Sequence, residues 1–370
     1  MTFSTKNLQS EVSADIRIKD GTCYIYFAFD VGLSIDLTLC AKLISEPRES
    51  TRLQHKQKTP KYFDYTPLPL RISQHAGAFC FTEHDFCTRQ TVDVTLFDFG
   101  AISVCYRIDL SGEFSKIIDL SEMLYENVQL QSDALQRVSH ISQELRSAIY
   151  KPSLTDLYED YIVFEVREFE EPLAVNALFD QAGYSIGQVL RSDAEEISLQ
   201  QIEEALSSRV SYTTHDVAVI DWGAAFLYGD KMDDVRAVLE FANVELLEMR
   251  YQDTGLDQAL ETAYKSLNQG KTFSANLNTI SQMQVDSAMM YEGVNNALKL
   301  LGDQYLARVY SQISKRFHLE SWDNSILRKL ETLNSIYSKL SDQAAVRRSF
   351  IMEAIIVALI AVEIVLSLVK

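Results

Sequence analysis

The sequence predicts an α+β fold: two related α+β repeat halves, then a helical hairpin or coiled-coil stalk, and one C-terminal transmembrane helix. Three observations predict it. An aspartate–aromatic–glycine phrase occurs twice inside alternating apolar runs, as Asp98-Phe99-Gly100 and as Asp221-Trp222-Gly223. The six prolines end at Pro172, so the 198 residues that follow (370 − 172) lack the strongest helix breaker. The chain closes on FIMEAIIVALIAVEIVLSLV, in which only Glu353, Glu363 and Ser367 leave the apolar set. The corresponding boundaries are 1–150 and 151–270 for the halves, 271–349 for the stalk and 350–369 for the span.

Each element has its own signal. Residues 22–31 (TCYIYFAFDV) are aromatic and β-branched and read as a strand. Residues 46–61 are polar, proline-bounded and locally basic, which predicts an exposed loop. Tyr24-Ile25-Tyr26-Phe27 returns as Tyr161-Ile162-Val163-Phe164, ahead of the second aspartate phrase. Each phrase is followed by a long amphipathic stretch, 114–150 and then 231–267. Strand, helix, strand pair and helix thus occur twice in order, the mark of duplication. Asp233 and Asp234 open the second long helix, where negative charge suits the helix dipole. Gly100 and Gly223 fit a bend or bulge in a strand run, and Asp98 and Asp221 can accept backbone N–H groups there.

Beyond residue 270 the apolar spacing is helical. Met283, Ser287, Met290, Val294, Ala297 and Leu301 form one seam; Ile326, Leu330, Leu333, Tyr337, Leu340 and Ala344 form another. Ser321 is the expected N-cap of a single helix over about 322–369. At ~1.5 Å per residue, the last 20 positions extend ~30 Å, the thickness of a bilayer core. Arg347 and Arg348 precede this run, so the positive-inside rule puts the bulk of the chain on the cytoplasmic side. Glu363 falls ~5 Å from the midpoint of the run and Glu353 ~10 Å from it. An acid at that depth fits either a protonated side chain that lipid tolerates or a contact between neighbouring helices of a homo-oligomer.

Composition excludes more than it assigns. A net charge of −18 opposes nucleic-acid binding. The five cysteines are odd in number and read as reduced thiols. His75, Cys80, His84 and Cys87 are zinc-type residues, but their spacings of 5, 4 and 3 match no zinc motif. No metal and no cofactor is expected. The N-terminus carries neither a secretory nor a transit pattern. The triplet Asp98-Phe99-Gly100 is shared with protein kinases, yet no H-R-D and no Gly-rich loop accompanies it.

The C-terminal region resembles the "required for meiotic nuclear division" family, also described as domain-of-unknown-function family 155. The likeness rests on NVELLEMRYQDTGLD (243–257), ILRKLETLNSIYSKL (326–340) and the RRSF-led apolar run with Glu353 and Glu363. It covers roughly 215–370. It implies a membrane-anchored, often oligomeric protein with no established catalytic residues and with mitochondrial members; since no transit pattern is visible, a bacterial inner-membrane relative fits better than a mitochondrial one. Together these readings lead to a tail-anchored, self-associating scaffold with a bilayer, further copies of itself and an unidentified protein as partners. The alternative is an enzyme or small-ligand module with a pocket between the two halves.

Overall fold

The two strands that repeat each other in sequence pair with each other in space. In the computed structural model, which describes residues 16–44, 48–50, 68–81, 86–269, 281–282, 285, 288 and 304–369, β1 (Arg17–Asp30) is followed by β2 (Gly32–Ile35), α1 (Leu37–Leu43) and β3 (Arg48–Ser50). Then come β4 (Leu70–His75), β5 (Cys80–Phe81), β6 (Phe86–Cys87), β7 (Thr91–Leu96) and β8 (Ala101–Glu113). Helices α2 (Ser115–Leu124) and α3 (Val128–Glu144) lead to β9 (Ile149–Pro152) and β10 (Tyr158–Phe169). Helices α4 (Val175–Arg191) and α5 (Leu199–Ala205) precede β11 (Arg209–Val210), β12 (Val217–Ile220) and β13 (Ala224–Tyr228). The helices α6 (Asp233–Gln269), α7 (Gln304–Arg316) and α8 (Leu319–Val369) complete the described chain.

Nine strands form one mixed sheet in the order β11-β12-β13-β10-β1-β8-β7-β4-β3. β1 and β10 are antiparallel neighbours, with Ile25 opposite Ile162 and Tyr26 opposite Tyr161. The leading strands of the two expected halves are therefore sheet neighbours. They are not copies in topology: β8 runs antiparallel to β1, whereas β13 runs parallel to β10. The parallel pair needs a crossover, which α4 and α5 supply between β10 and the β11–β13 strands.

Period-two alternation sorts the strand residues onto two faces. Cys23, Ile25, Phe27 and Phe29 of β1 join Ile102, Val104, Tyr106 and Ile108 of β8 in the main core. Ile117, Leu120, Val138, Leu178 and Ile186 from α2, α3 and α4 close that core. The opposite face is mixed. Tyr24 lies under the Arg236 guanidinium of α6 at 4.0 Å. Arg236 pairs with Glu165 at 2.7 Å, and Arg71 with Glu240 at 3.0 Å. A small apolar cluster of Ala28, Phe97, Phe99, Ala101, Val244 and Leu247 seals one end of this face against α6.

By contacts the chain divides into two units: Met1–Met249 with Glu292–Glu320, and Arg250–Tyr291 with Ser321–Lys370. The described residues of the second are helical. Leu256, Ala259 and Ala263 of α6 are buried, as are Ile326, Leu333, Ile336 and Leu340 of α8. Lys329 reaches Asp253 and Asp257, each at 2.7 Å. The seam over Met283–Leu301 lies outside the described residues, apart from a few isolated helical positions between its members. The helix runs unbroken as expected but begins at Leu319, so Ser321 is inside it rather than capping it.

Phe350, Ile356, Leu359 and Val365 of α8 are more than half exposed, as are their apolar neighbours. Even so, among the described residues no helix is long and apolar enough to cross a membrane. The last 18 residues with described side chains, 348–365 (365 − 348 + 1), include Arg348, Glu353 and Glu363, and each ionised group in a span is costly. This finding overturns the span at 350–369. The tail-anchored, single-pass scaffold and the cytoplasmic-side placement derived from it fall with the span.

Two of the five cysteines are not thiols. β5 and β6 pair as a short hairpin with Cys80 opposite Cys87, and the two are joined by a disulfide. Antiparallel pairing sets the two cysteines face to face, which corrects the expectation of five reduced thiols. Cys23, Cys40 and Cys105 are buried free thiols. Unfolded without reductant, the protein is expected to titrate three thiols, and five after reduction. Five before reduction would disprove the disulfide.

Candidate functional site

The two aspartate phrases occupy equivalent hairpin turns but do different things. Between β7 and β8, the Phe97 N–H donates to Ala101 O and the Asp98 carbonyl accepts from the Ile35 N–H at 2.7 Å. Phe99 is buried against Phe97 and Phe241, with ring centroids at 5.4 and 6.0 Å. Between β12 and β13, the Asp221 N–H donates to Ala224 O at 2.9 Å. Here the aspartate is buried, 1% exposed, and the aromatic Trp222 is 50% exposed. Strands β10 and β1 separate the two turns, so Asp98 and Asp221 do not build one site.

Asp221 is an electrostatic hub. One carboxylate oxygen, Oδ1, accepts the Trp222 N–H at 2.8 Å and the Arg316 Nε–H at 2.6 Å. Arg316 Nη2 also donates to it. Its carbonyl accepts the Tyr161 hydroxyl at 2.9 Å, and burial, with Asp221 adding to it, holds that phenol well above its usual pKa. On the other side, Arg191 Nε stands 3.2 Å from Oδ2. That pair is close but misaligned: Oδ2 and the Arg191 Nε and Nη2 are all buried and make no hydrogen bond. Glu204 of α5 completes the group from 3.5 Å on Arg316 and 3.7 Å on Arg191, with its side chain 51% exposed.

Local structure aims both guanidiniums. Arg191 is the last residue of α4 and Arg316 the last of α7, where the helix dipole favours cations. Ser192, directly after Arg191, and His318, two residues after Arg316, have left-handed φ values of 52° and 54°. Non-glycine residues held there mark positions that the surroundings over-determine. Trp222 stands at the rim, with its ring centroid 6.1 Å from those of Phe317 and His318. Two cations thus face one buried and one half-exposed carboxylate beside an accessible indole. This arrangement suits recognition of an oxyanion. It offers no aligned nucleophile–base pair.

The other sequence candidates do not join this group. His75 ends β4, and its carbonyl accepts from Arg137 at 3.3 Å. Cys80 and Cys87 bond to each other, and His84 lies outside the described residues. Among the described residues no group of three His, Cys, Asp or Glu could hold a metal ion. Arg348, Glu353 and Glu363 are exposed on α8, and the Arg347 side chain is outside the described set. Arg191 and Arg316 escape a reading of the sequence, and Glu204 reads there only as half of a solvated acid pair with Glu203, because nothing in their spacing links them. The only available signal was an arginine closing each of two amphipathic helices.

A family model described as the N-terminal domain of uncharacterized protein MJ0711 matches residues 20–234. The uncharacterized protein MJ0711 of Methanocaldococcus jannaschii is 26% identical over 234 residues, which cover 61% of this chain and 71% of that protein. No solved structure matches. The matched stretch holds Arg191, Glu204 and Asp221 but not Arg316, and it begins within β1. The meiotic nuclear division resemblance, drawn from roughly residues 215–370, has no support in these matches and is corrected by them. With more than half of its residues matched, the chain belongs to the family of the MJ0711 N-terminal domain.

Proposed function

We propose that the chain binds a small oxyanion, a carboxylate or a phosphate, at the Asp221 hub. The observation that carries this reading is the unused hydrogen-bonding capacity of Arg191. Its Nε and Nη2 donate to nothing, while a half-exposed Glu204 hovers at salt-bridge distance from both arginines. A guanidinium is built to grip an oxyanion with two parallel bonds, and Glu204 supplies none of that geometry to Arg191. In this reading Glu204 is an internal counter-ion that a ligand displaces, and Trp222 lies against the ligand's remainder.

Displacement gives the test a definite sign. Glu204→Gln removes the competing charge and is expected to tighten binding of inorganic phosphate or succinate by about 3–10-fold, or about 1 kcal/mol. Comparing the two anions tells phosphate from carboxylate recognition. Trp222 fluorescence is the readout, with Trp222→Phe as the blank because Trp322 remains. Failure of both anions to bind wild type and Glu204→Gln alike would reduce the hub to a structural ion pair.

A further inference from the structure

A second polar feature lies on the mixed face of the sheet, away from the hub. Asp30 is the last residue of β1, and Glu248 lies on α6; they are 1% and 0% exposed. All four of their carboxyl oxygens are buried, and none accepts a hydrogen bond from an N–H or hydroxyl donor. Each carboxyl instead has the other within hydrogen-bonding reach. Ala28, Phe97, Phe99, Ala101, Val244 and Leu247 make the end of this face apolar.

The charged groups of the surrounding elements are committed elsewhere. On α6, Arg236 is held by Glu165 and Asp233, Glu240 by Arg71 of β4, and Glu245 by the Tyr310 hydroxyl of α7. On β10, Glu159 is itself an acid, and its carbonyl accepts from Asn243 of α6. β8 contributes Ala101 and the neutral Ser103 on this face. Among the described residues, no ion pair from these elements reaches Asp30 or Glu248. Two carboxylates cannot remain ionised together in such surroundings without a cation, because desolvation and mutual repulsion act in the same direction.

We infer that Asp30 and Glu248 form a buried two-carboxyl site that holds a proton between them and fastens the end of β1 to α6. A carboxyl–carboxylate hydrogen bond joins the two elements while the proton is present. Its loss leaves two like charges facing each other in an apolar cluster, and α6 is then driven from the Phe97–Phe99 end of the sheet. Burial pushes Asp30 up to about 8 and holds Glu248 well above the usual carboxylate range, with the Asp30 charge adding to it.

The sign of the pH effect follows from linkage. The folded state retains a proton that the unfolded chain releases near pH 4, so stability falls as pH rises from about 4 through about 8. For Asp30 alone, the unfolding constant should grow roughly 10²–10³-fold between pH 5 and 8. The experiment measures urea unfolding of the full chain over that range for wild type and for the isosteric Asp30→Asn/Glu248→Gln pair. The pair should have a much flatter profile, and at pH 8 α6 of the wild type alone should gain hydrogen exchange over 241–249. Infrared difference spectra of wild type, which need no variant, should show a dry protonated carboxyl at pH 6.5 whose signal weakens as pH rises through about 8. Identical pH profiles for wild type and the pair, or no protonated carboxyl, would overturn the inference. Abolition of the pH dependence by magnesium or potassium chloride would do so too, since a cation and not a proton would then fill the site.

Discussion

Alanine at position 100 is expected to cost about 3–5 kcal/mol of stability, whereas alanine at position 223 should change stability by less than about 1 kcal/mol. The two glycines occupy the same place in the repeated phrase, so sequence alone treats them alike. Gly100 has a φ of +106°, and a Cβ there would stand 1.8 Å from the Gly32 carbonyl oxygen and 2.9 Å from the Gly32 carbonyl carbon. Both obstacles are backbone, held in turn by the Val31 N–H bond to Gly100 O at 2.9 Å. No rotamer change relieves that clash. At Gly223 nothing lies within 4 Å of the added carbon, and φ is not in the left-handed region. Urea midpoints for Gly100→Ala and Gly223→Ala decide the matter. Equal shifts would mean that the β7–β8 turn can yield in a way its packing against β2 does not allow.

The contrast shows which parts of this fold were legible. Residues 22–31 and 158–169 announce strands because aromatic and β-branched side chains suit a half-buried pleat. The helices over 233–269 and 319–369 announce themselves by period and by the absence of proline. Pairing was not legible: Tyr26 meets Tyr161 from 135 positions away (161 − 26), and no local pattern encodes that partner. Likewise, β13 runs parallel to β10 because two intervening helices carry the chain back over the sheet, a choice set by tertiary packing. The disulfide is not legible in the spacing because it depends on β5 pairing antiparallel with β6, which sets Cys80 opposite Cys87. The apolar run of α8 is plain in the sequence, with Glu353 and Glu363 visible inside it; the error lay in taking the run to outweigh those charges and cross a membrane, which no helix among the described residues is long and apolar enough to do. In the candidate site, Asp221 and Trp222 stood out as a phrase, while the arginines that give Asp221 its meaning sit 30 and 95 positions away (221 − 191 and 316 − 221) on unrelated helices. Asp30 looked like the ordinary end of a strand, and only burial without a partner distinguishes it.

Removing the carboxylate at the hub should separate its structural role from its binding role. Asp221→Ala leaves Arg316 and Arg191, whose side chains are 17% and 25% exposed, facing each other with only the half-exposed Glu204 for compensation. Breaking a buried pair by deleting one partner costs about 3–5 kcal/mol, and Arg316→Ala should cost a similar amount by stranding Asp221. The double variant removes both charges, so its loss should be smaller than the sum of the two single losses by about 1–3 kcal/mol in a double-mutant cycle. That much follows from electrostatics whether or not a ligand exists. The binding role predicts something further. With Asp221 gone, both guanidiniums are free for an external oxyanion, so phosphate should bind Asp221→Ala more tightly than wild type and restore about 2.7 kcal/mol of its lost stability at one hundred times its Kd. A purely structural hub predicts the same destabilisation but no rescue. Thermal unfolding of Asp221→Ala across a phosphate series, at constant ionic strength set with chloride, distinguishes the two; a midpoint that stays flat as phosphate rises would leave Asp221 as a structural hub and nothing more.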